Sequence, residues 1–275
     1  MRDRVYRRPD IRLGFAEGPR VISESAALIS VAPFLAWSPR GDGHAVLVMP
    51  GFGASDRSTM LLRGFLSCIG YQAYPWNLGT NLGPRMPDLM AALRSRLGEV
   101  HVENDESKVS LIGWSLGGVY ARALAHRYPD LVRQVITLGS PFAVGPRSTA
   151  THPMVAGTSK VPLEQRPTNH LRLLAGEPLA NTPSTAIFSK SDGIVPWQIA
   201  SQRPSRIADN IEVYASHLGL GFNPAVLYAL ADRLSNHPDE WRPFQRIGWK
   251  RLVYGLAQLE REYDGDAPGQ RTAGA

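Results

Sequence analysis

Short apolar runs alternate along most of this chain with longer segments in which apolar residues recur every three to four positions. The runs at 45–49, 71–76, 108–114, 132–138, 185–189 and 211–215 are too short for helices and are read as strands, the first as one buried on both faces. Between them, 60–69, 88–102, 116–128 and 225–234 read as helices. In the third of these, Leu116, Val119, Tyr120, Ala123 and Leu124 fall at i, i+3, i+4, i+7 and i+8, one face of a helix. Strands joined by helices or long crossovers predict an α/β fold with a mostly parallel central sheet flanked by helices.

The pattern fails in four places. Residues 1–20, with Pro9, Gly14, Gly18 and Pro19, are expected to wrap the surface without regular structure. Residues 21–37 form an apolar helix laid on the domain or over a pocket mouth, so that 1–43 is an N-terminal extension and helix. The segment 142–183 is proline-rich and aperiodic, and a loop of that length inside a domain reads as a cap or lid, with a disordered insertion as the alternative. Finally, 244–263 predicts an amphipathic helix carrying Trp249, Leu252, Val253, Leu256 and Tyr263 on one side and the basic Arg246, Lys250 and Arg251 on the rest. Packing on the domain is the preferred reading of that helix over a membrane surface. A frayed tail at 264–275 completes a single domain spanning 1–275.

Composition narrows the class. Apolar residues at 43% and charged residues at 20% are ordinary for a globular protein, which excludes disordered, collagenous and multi-span membrane chains. A net charge of +6 and a pI near 9.7 favour weak association with anionic surfaces or an acidic carrier protein. The arginines are scattered rather than clustered, so no nucleic acid partner is expected. The single cysteine, Cys68, cannot form an intramolecular disulfide and reads as a small buried hydrophobe in a cytoplasmic protein. Arg2, Arg4, Arg7 and Arg8 precede an apolar stretch and superficially suggest a secretion signal. Asp3, Asp10, Glu17 and Glu24 spoil it, and Pro33 interrupts a stretch already too short for an integral membrane span.

The chemistry lies where strands end. Gly113-Trp-Ser-Leu-Gly117 fits G-x-S-x-G between a predicted strand and a predicted helix, a sharp turn that exposes a serine nucleophile. Ser115 then needs a base and a carboxylate to orient that base. His217 follows a predicted strand in a glycine-containing loop. His44, His101, His126 and His237 sit at the wrong ends of their elements, and His152 and His170 fall in the cap. Asp192, in Ser-Asp-Gly after the preceding strand, is preferred as the acid over Asp209, expected before its strand, and Glu164, in the cap. For the oxyanion, the backbone N–H groups of Leu116 and Phe52 are chosen, with Gly53 in reserve. Trp76, Trp114, Phe142, Trp197 and Leu218 are candidates for an acyl pocket. No metal-ligand spacing is present, and no metal or cofactor is expected.

Pro50-Gly-Phe-Gly53, Gly113-Trp-Ser-Leu-Gly-Gly118, Leu138-Gly-Ser-Pro141, Asp192-Gly-Ile-Val-Pro196 and Ser216-His217 together resemble the lipase and carboxylesterase branch of the α/β-hydrolase superfamily over roughly residues 44–236. The resemblance implies the α/β-hydrolase fold with a variable cap, and a Ser-His-Asp hydrolase acting on small-molecule or lipid esters through an acyl-enzyme. Two departures stand out: Pro50 occupies a position where many members carry histidine, and no cysteine pair is available for the disulfides of secreted lipases. An acyltransferase or carbon-carbon bond hydrolase on the same scaffold, or a non-catalytic binding protein, are the alternatives.

Overall fold

Backbone pairing follows the apolar runs closely. The computed structural model describes residues 9–143, 174–237 and 240–255. Its strands are β1 (Ala45–Met49), β2 (Gln72–Pro75), β3 (Val109–Trp114), β4 (Val132–Leu138), β5 (Ser184–Phe188) and β6 (Ala208–Glu212). They pair in the order β2-β1-β3-β4-β5-β6, and every pair is parallel. The register sets Leu47 beside Leu111, Ile112 beside Ile136 and Ile187 beside Ile211.

Alternate residues of each strand point to opposite faces, and here both faces are apolar. Val46, Val48, Ile112, Ile136, Ile187 and Ile211 build one layer with helices α2 (Met60–Cys68) and α5 (Pro224–Leu234). Ala45, Leu47, Met49, Leu111 and Val135 build the other with α3 (Leu89–Glu103) and α4 (Leu116–Arg127). A sheet covered on both sides leaves its carboxyl-end loops as the place for chemistry.

Several expectations require correction. Helix α1 runs Ile11–Leu35, with Asp10 capping it by accepting the Arg12 N–H at 2.9 Å; residues 11–20 are therefore helical. Pro19, one of two prolines inside it, read as a breaker in the sequence. Contacts of the face bearing Glu17, Arg20 and Glu24 with two distant loops hold the helix through it. Strand β6 begins three residues before the expected 211, so Asp209 lies within it. Its half-buried carboxylate accepts the N–H of Phe244 at 2.7 Å, and partial desolvation raises its pKa against the lowering effect of the Phe244 and Asn210 amides.

The expected helix at 244–263 is reduced, among the described residues, to one turn at Lys250–Val253. Asp209 accepts the Phe244 N–H, Gly248 takes a positive φ of 57°, and Tyr254 turns inward to donate to Ala225 O at 2.8 Å. Leu252, assigned to the packed side, is exposed. Cys68 is also exposed, because Leu62, Leu66 and Ile69 carry the inward face of α2. Of the cap at 142–183, residues 144–173 lie outside the described residues, as do 1–8 and the tail at 264–275. Among the described residues, no helix is long and apolar enough to cross a membrane.

Candidate active site

Ser115 sits between β3 and α4 with φ 52° and ψ −120°, a backbone region that residues with a side chain rarely adopt. Its own N–H is fixed to Leu138 O at 2.8 Å, so the end of β4 holds the turn in place. The surrounding glycines are required by close backbone approach. A β-carbon on Gly113 would stand 2.3 Å from Gly118, and one on Gly117 would stand 2.4 Å from the carbonyl oxygen of Met49. Gly117 thus makes room for the end of β1, and Gly113 for the Gly117–Gly118 backbone. Gly118 abuts Ser140 Oγ, which itself donates to Gly113 O at 3.2 Å.

The loop after β1 meets this elbow from the side. Gly51 lies against it, where a β-carbon would approach that of Ser115 to 3.2 Å. Gly53, the reserve oxyanion donor, is already committed: its N–H donates to Asn81 O at 2.8 Å. The Phe52 N–H has no partner among the described residues, and neither does that of Leu116. Leu116 is the first residue of α4, where backbone N–H groups have no acceptor within the helix. Asn81, fully buried, organises the loop. Its side chain donates to Pro50 O at 2.9 Å and accepts from Gly83 N at 3.0 Å. An asparagine in a Gly-rich loop carries no sequence signal for this role, and the sequence missed it.

Asp192 and His217 form a buried pair, with His217 Nδ1 2.6 Å from Asp192 Oδ2. The other carboxylate oxygen accepts the N–H groups of Ile194 and Val195 at 2.8 and 2.7 Å, which leaves Oδ2 to orient the imidazole. Burial acts to lower the His217 pKa, but the adjacent Asp192 charge and hydrogen bond, with a further contribution from Glu17, outweigh it and raise the pKa. Gly139, with φ 54°, passes beneath the pair; a β-carbon there would come within 3.1 Å of Asp192 Oδ2 and 3.2 Å of His217 Nδ1. The pair therefore stands over the end of β4 whose neighbouring carbonyl, Leu138 O, fixes Ser115. No hydrogen bond joins Ser115 Oγ to His217 among the described residues. Such contacts commonly tighten only when substrate binds.

Helix α1 contributes two carboxylates that the sequence did not single out. Glu17 accepts the N–H groups of Gly193 at 2.8 Å, His217 at 3.0 Å and Leu218 at 3.0 Å. Glu24 accepts Ser216 N at 2.6 Å and Ser216 Oγ at 2.8 Å, and burial raises its pKa despite these bonds and nearby Arg20. Arg20 donates to the Ser191 carbonyl at 2.5 Å.

The candidate pocket residues divide. Trp76 and Phe142 have essentially no accessible surface: the first donates its indole N–H to Gly79 O, the second lies under the Arg122 guanidinium, and both serve the core instead of a pocket wall. Trp114 is also core, and its indole N–H donates to His217 O at 3.1 Å, stitching the elbow to the histidine loop. Trp197, stacked on Phe188, and Leu218 retain accessible surface. An apolar cavity of about 510 Å³ lies elsewhere, between the C-terminal end of α1 and α5, with Phe34, Trp37, Tyr228 and Trp249 in its walls.

A parallel sheet with a strained serine turn, a glycine loop beside it and a buried Asp-His pair at its carboxyl end has the α/β-hydrolase fold, and this chain carries it. The family model described as "alpha/beta hydrolase fold" matches residues 46–154. Lipase B from Aspergillus fumigatus superposes with a TM-score of 0.53 at 20% identity, over 72% of this chain and 54% of that one. A lipolytic enzyme from a metagenome (TM-score 0.48, 16% identity, 66% of this chain and 88% of that one) is also similar. So is α/β-hydrolase domain-containing protein 10 from mouse (0.46, 16%, 70% and 88%). A comparison with curated protein sequences finds no match.

Proposed function

We propose that this protein is a serine carboxylic ester hydrolase of esterase or lipase type, working through an acyl-enzyme. The observation that carries the reading is the convergence of the buried Asp192–His217 pair and the Ser115 elbow on the end of β4, beside two uncommitted backbone amides.

In this mechanism Ser115 Oγ attacks the ester carbonyl while His217 Nε2 takes its proton. Asp192 fixes the tautomer with Nδ1–H donating to it and stabilises the imidazolium. Phe52 N–H and Leu116 N–H receive the oxyanion; loss of one such donor typically costs about 100- to 1000-fold in rate. The imidazolium then protonates the leaving alcohol, and water, activated by the same histidine, releases the acid.

Turnover of p-nitrophenyl esters from acetate to palmitate tests the reading. S115A and H217Q are expected to abolish turnover above background, and D192N to lower kcat by on the order of 10⁴, with each variant retaining the wild-type Tm to within a few degrees. Full activity in S115A would remove the proposal. Preference for short chains favours an esterase, and a rise toward long chains at an oil interface favours a lipase.

A further inference from the structure

The carboxylates of α1 reach across the chain to the loops that bear the acid and the base. Glu17 is buried and gathers three backbone N–H groups, two on Oε1 and one on Oε2. One belongs to Gly193, directly after Asp192; the others belong to His217 and Leu218. A single side chain therefore sets the spacing between the acid turn and the base loop. Seven residues on, two helical turns along the same face, Glu24 holds Ser216 by its N–H and its hydroxyl. Ser216 Oγ in turn accepts Gly219 N at 3.0 Å. Between them, Arg20 donates to both the carbonyl and the hydroxyl of Ser191. Positions 17, 20 and 24 lie at i, i+3 and i+7, one stripe of the helix.

The stripe cannot be explained as a stability device alone. Placing ionised carboxylates in a buried site is costly unless every lone pair is used, and an apolar stripe would pack a helix on this surface without that cost. What the carboxylates do that leucines cannot is fix the backbone on both sides of the Asp192–His217 contact. Gly193 permits the approach: a β-carbon there would lie 2.5 Å from the Leu13 backbone.

We propose that Glu17 is a positioning residue for the base, joining the Asp192 turn to the His217 loop through Gly193, His217 and Leu218, with Glu24 securing the adjacent Ser216. This rests on the reading of His217 as the general base. The charged groups acting on His217 are Asp192 and, from α1, Glu17; on the same face of α1, Glu24 binds Ser216 and Arg20 binds Ser191, and Lys190 on the acid turn is engaged by Glu212 at 3.0 Å.

Two near-isosteric variants separate charge from reach. E17Q keeps one acceptor oxygen for Gly193 and His217 but sets an amide NH₂ against Leu218 N–H and removes a negative charge beside the imidazole. The acid limb of its kcat/KM profile is expected to move to lower pH by about half a pH unit or more. E17D keeps the charge but is one methylene too short to reach all three amides. Its plateau kcat is expected to fall about tenfold with KM within about twofold, because misplacing a catalytic group costs kcat before binding. Hydrogen exchange on the wild-type chain supplies a readout independent of either variant: the amides of Gly193, His217 and Leu218 are expected to be strongly protected. Fast exchange at these amides, or unchanged limb and plateau in both variants, overturns the proposal. H217Q distinguishes the two levels: if it retains turnover, the base assignment fails, whereas inert Glu17 variants with a dead H217Q leave that assignment standing and remove only the positioning role.

Discussion

At Gly117 a methyl group would meet the carbonyl of Met49, a backbone atom of the neighbouring strand that no rotamer change can move. At Gly98, on α3, the same methyl group would meet open space. The two sites should respond to alanine with opposite signs. G117A is expected to lose about 1–3 kcal/mol through enforced overpacking. G98A is expected to gain about 0.5–1 kcal/mol from reduced backbone freedom in the unfolded chain. Thermal melts of the two variants against wild type check both. The elbow glycines, Ser115, Asp192 and His217 could be nominated from sequence because each lies at or shortly after the end of a predicted strand, within a local pattern that exposes it. Glu17, Glu24 and Asn81 were not. Glu17 and Glu24 were read only as acidic residues that spoil a secretion signal, and their partner amides lie 176–201 residues away along the chain. Nothing in a local window records such a contact.

At the scale of elements, fully buried strands were read with ends within a residue or two, because runs such as 45–49 and 132–138 owe their pattern to burial on both faces. The edge strand β6 was read three residues late: Asp209 and Asn210 are polar, yet they pair through backbone with Thr185 and Ala186. Composition does not report backbone pairing. Helix α1 was cut short for the converse reason, since Gly14, Gly18 and Pro19 concealed a helix stabilised by tertiary hydrogen bonds. A similar concealed device fastens α4. Arg122, almost wholly buried and with its pKa lowered by that burial to about 10, donates to Ala175 O, Glu177 O and Gln202 Oε1. R122M removes these donors and is expected to cost about 3 kcal/mol. Urea denaturation measures that loss, while kcat of the folded fraction should stay within about twofold because Arg122 makes no described contact with Ser115, Asp192 or His217.

For the molecule as a whole, the parallel order β2-β1-β3-β4-β5-β6 brings the ends of β1, β3, β4 and β5 together, and the loop after β6 carries His217 back over them. The α/β architecture was visible from alternation alone. Its site required the further coincidence of four strand ends. The hydrolytic reading also has a pH signature. With burial opposing it but Asp192 and Glu17 prevailing, the His217 pKa lies above the ordinary 6.5. Below that pKa the imidazole is protonated and cannot accept the Ser115 proton; above it the neutral base is present. Ser115 nucleophilicity should therefore rise with pH through a midpoint above 6.5.

The rate and position of fluorophosphonate modification, followed by intact mass and by sequencing of the modified peptide, read nucleophile and base together. The account predicts one adduct per chain, on Ser115, formed faster as pH rises through that midpoint and absent from S115A and H217Q. An adduct on another residue, or none at any pH, contradicts it.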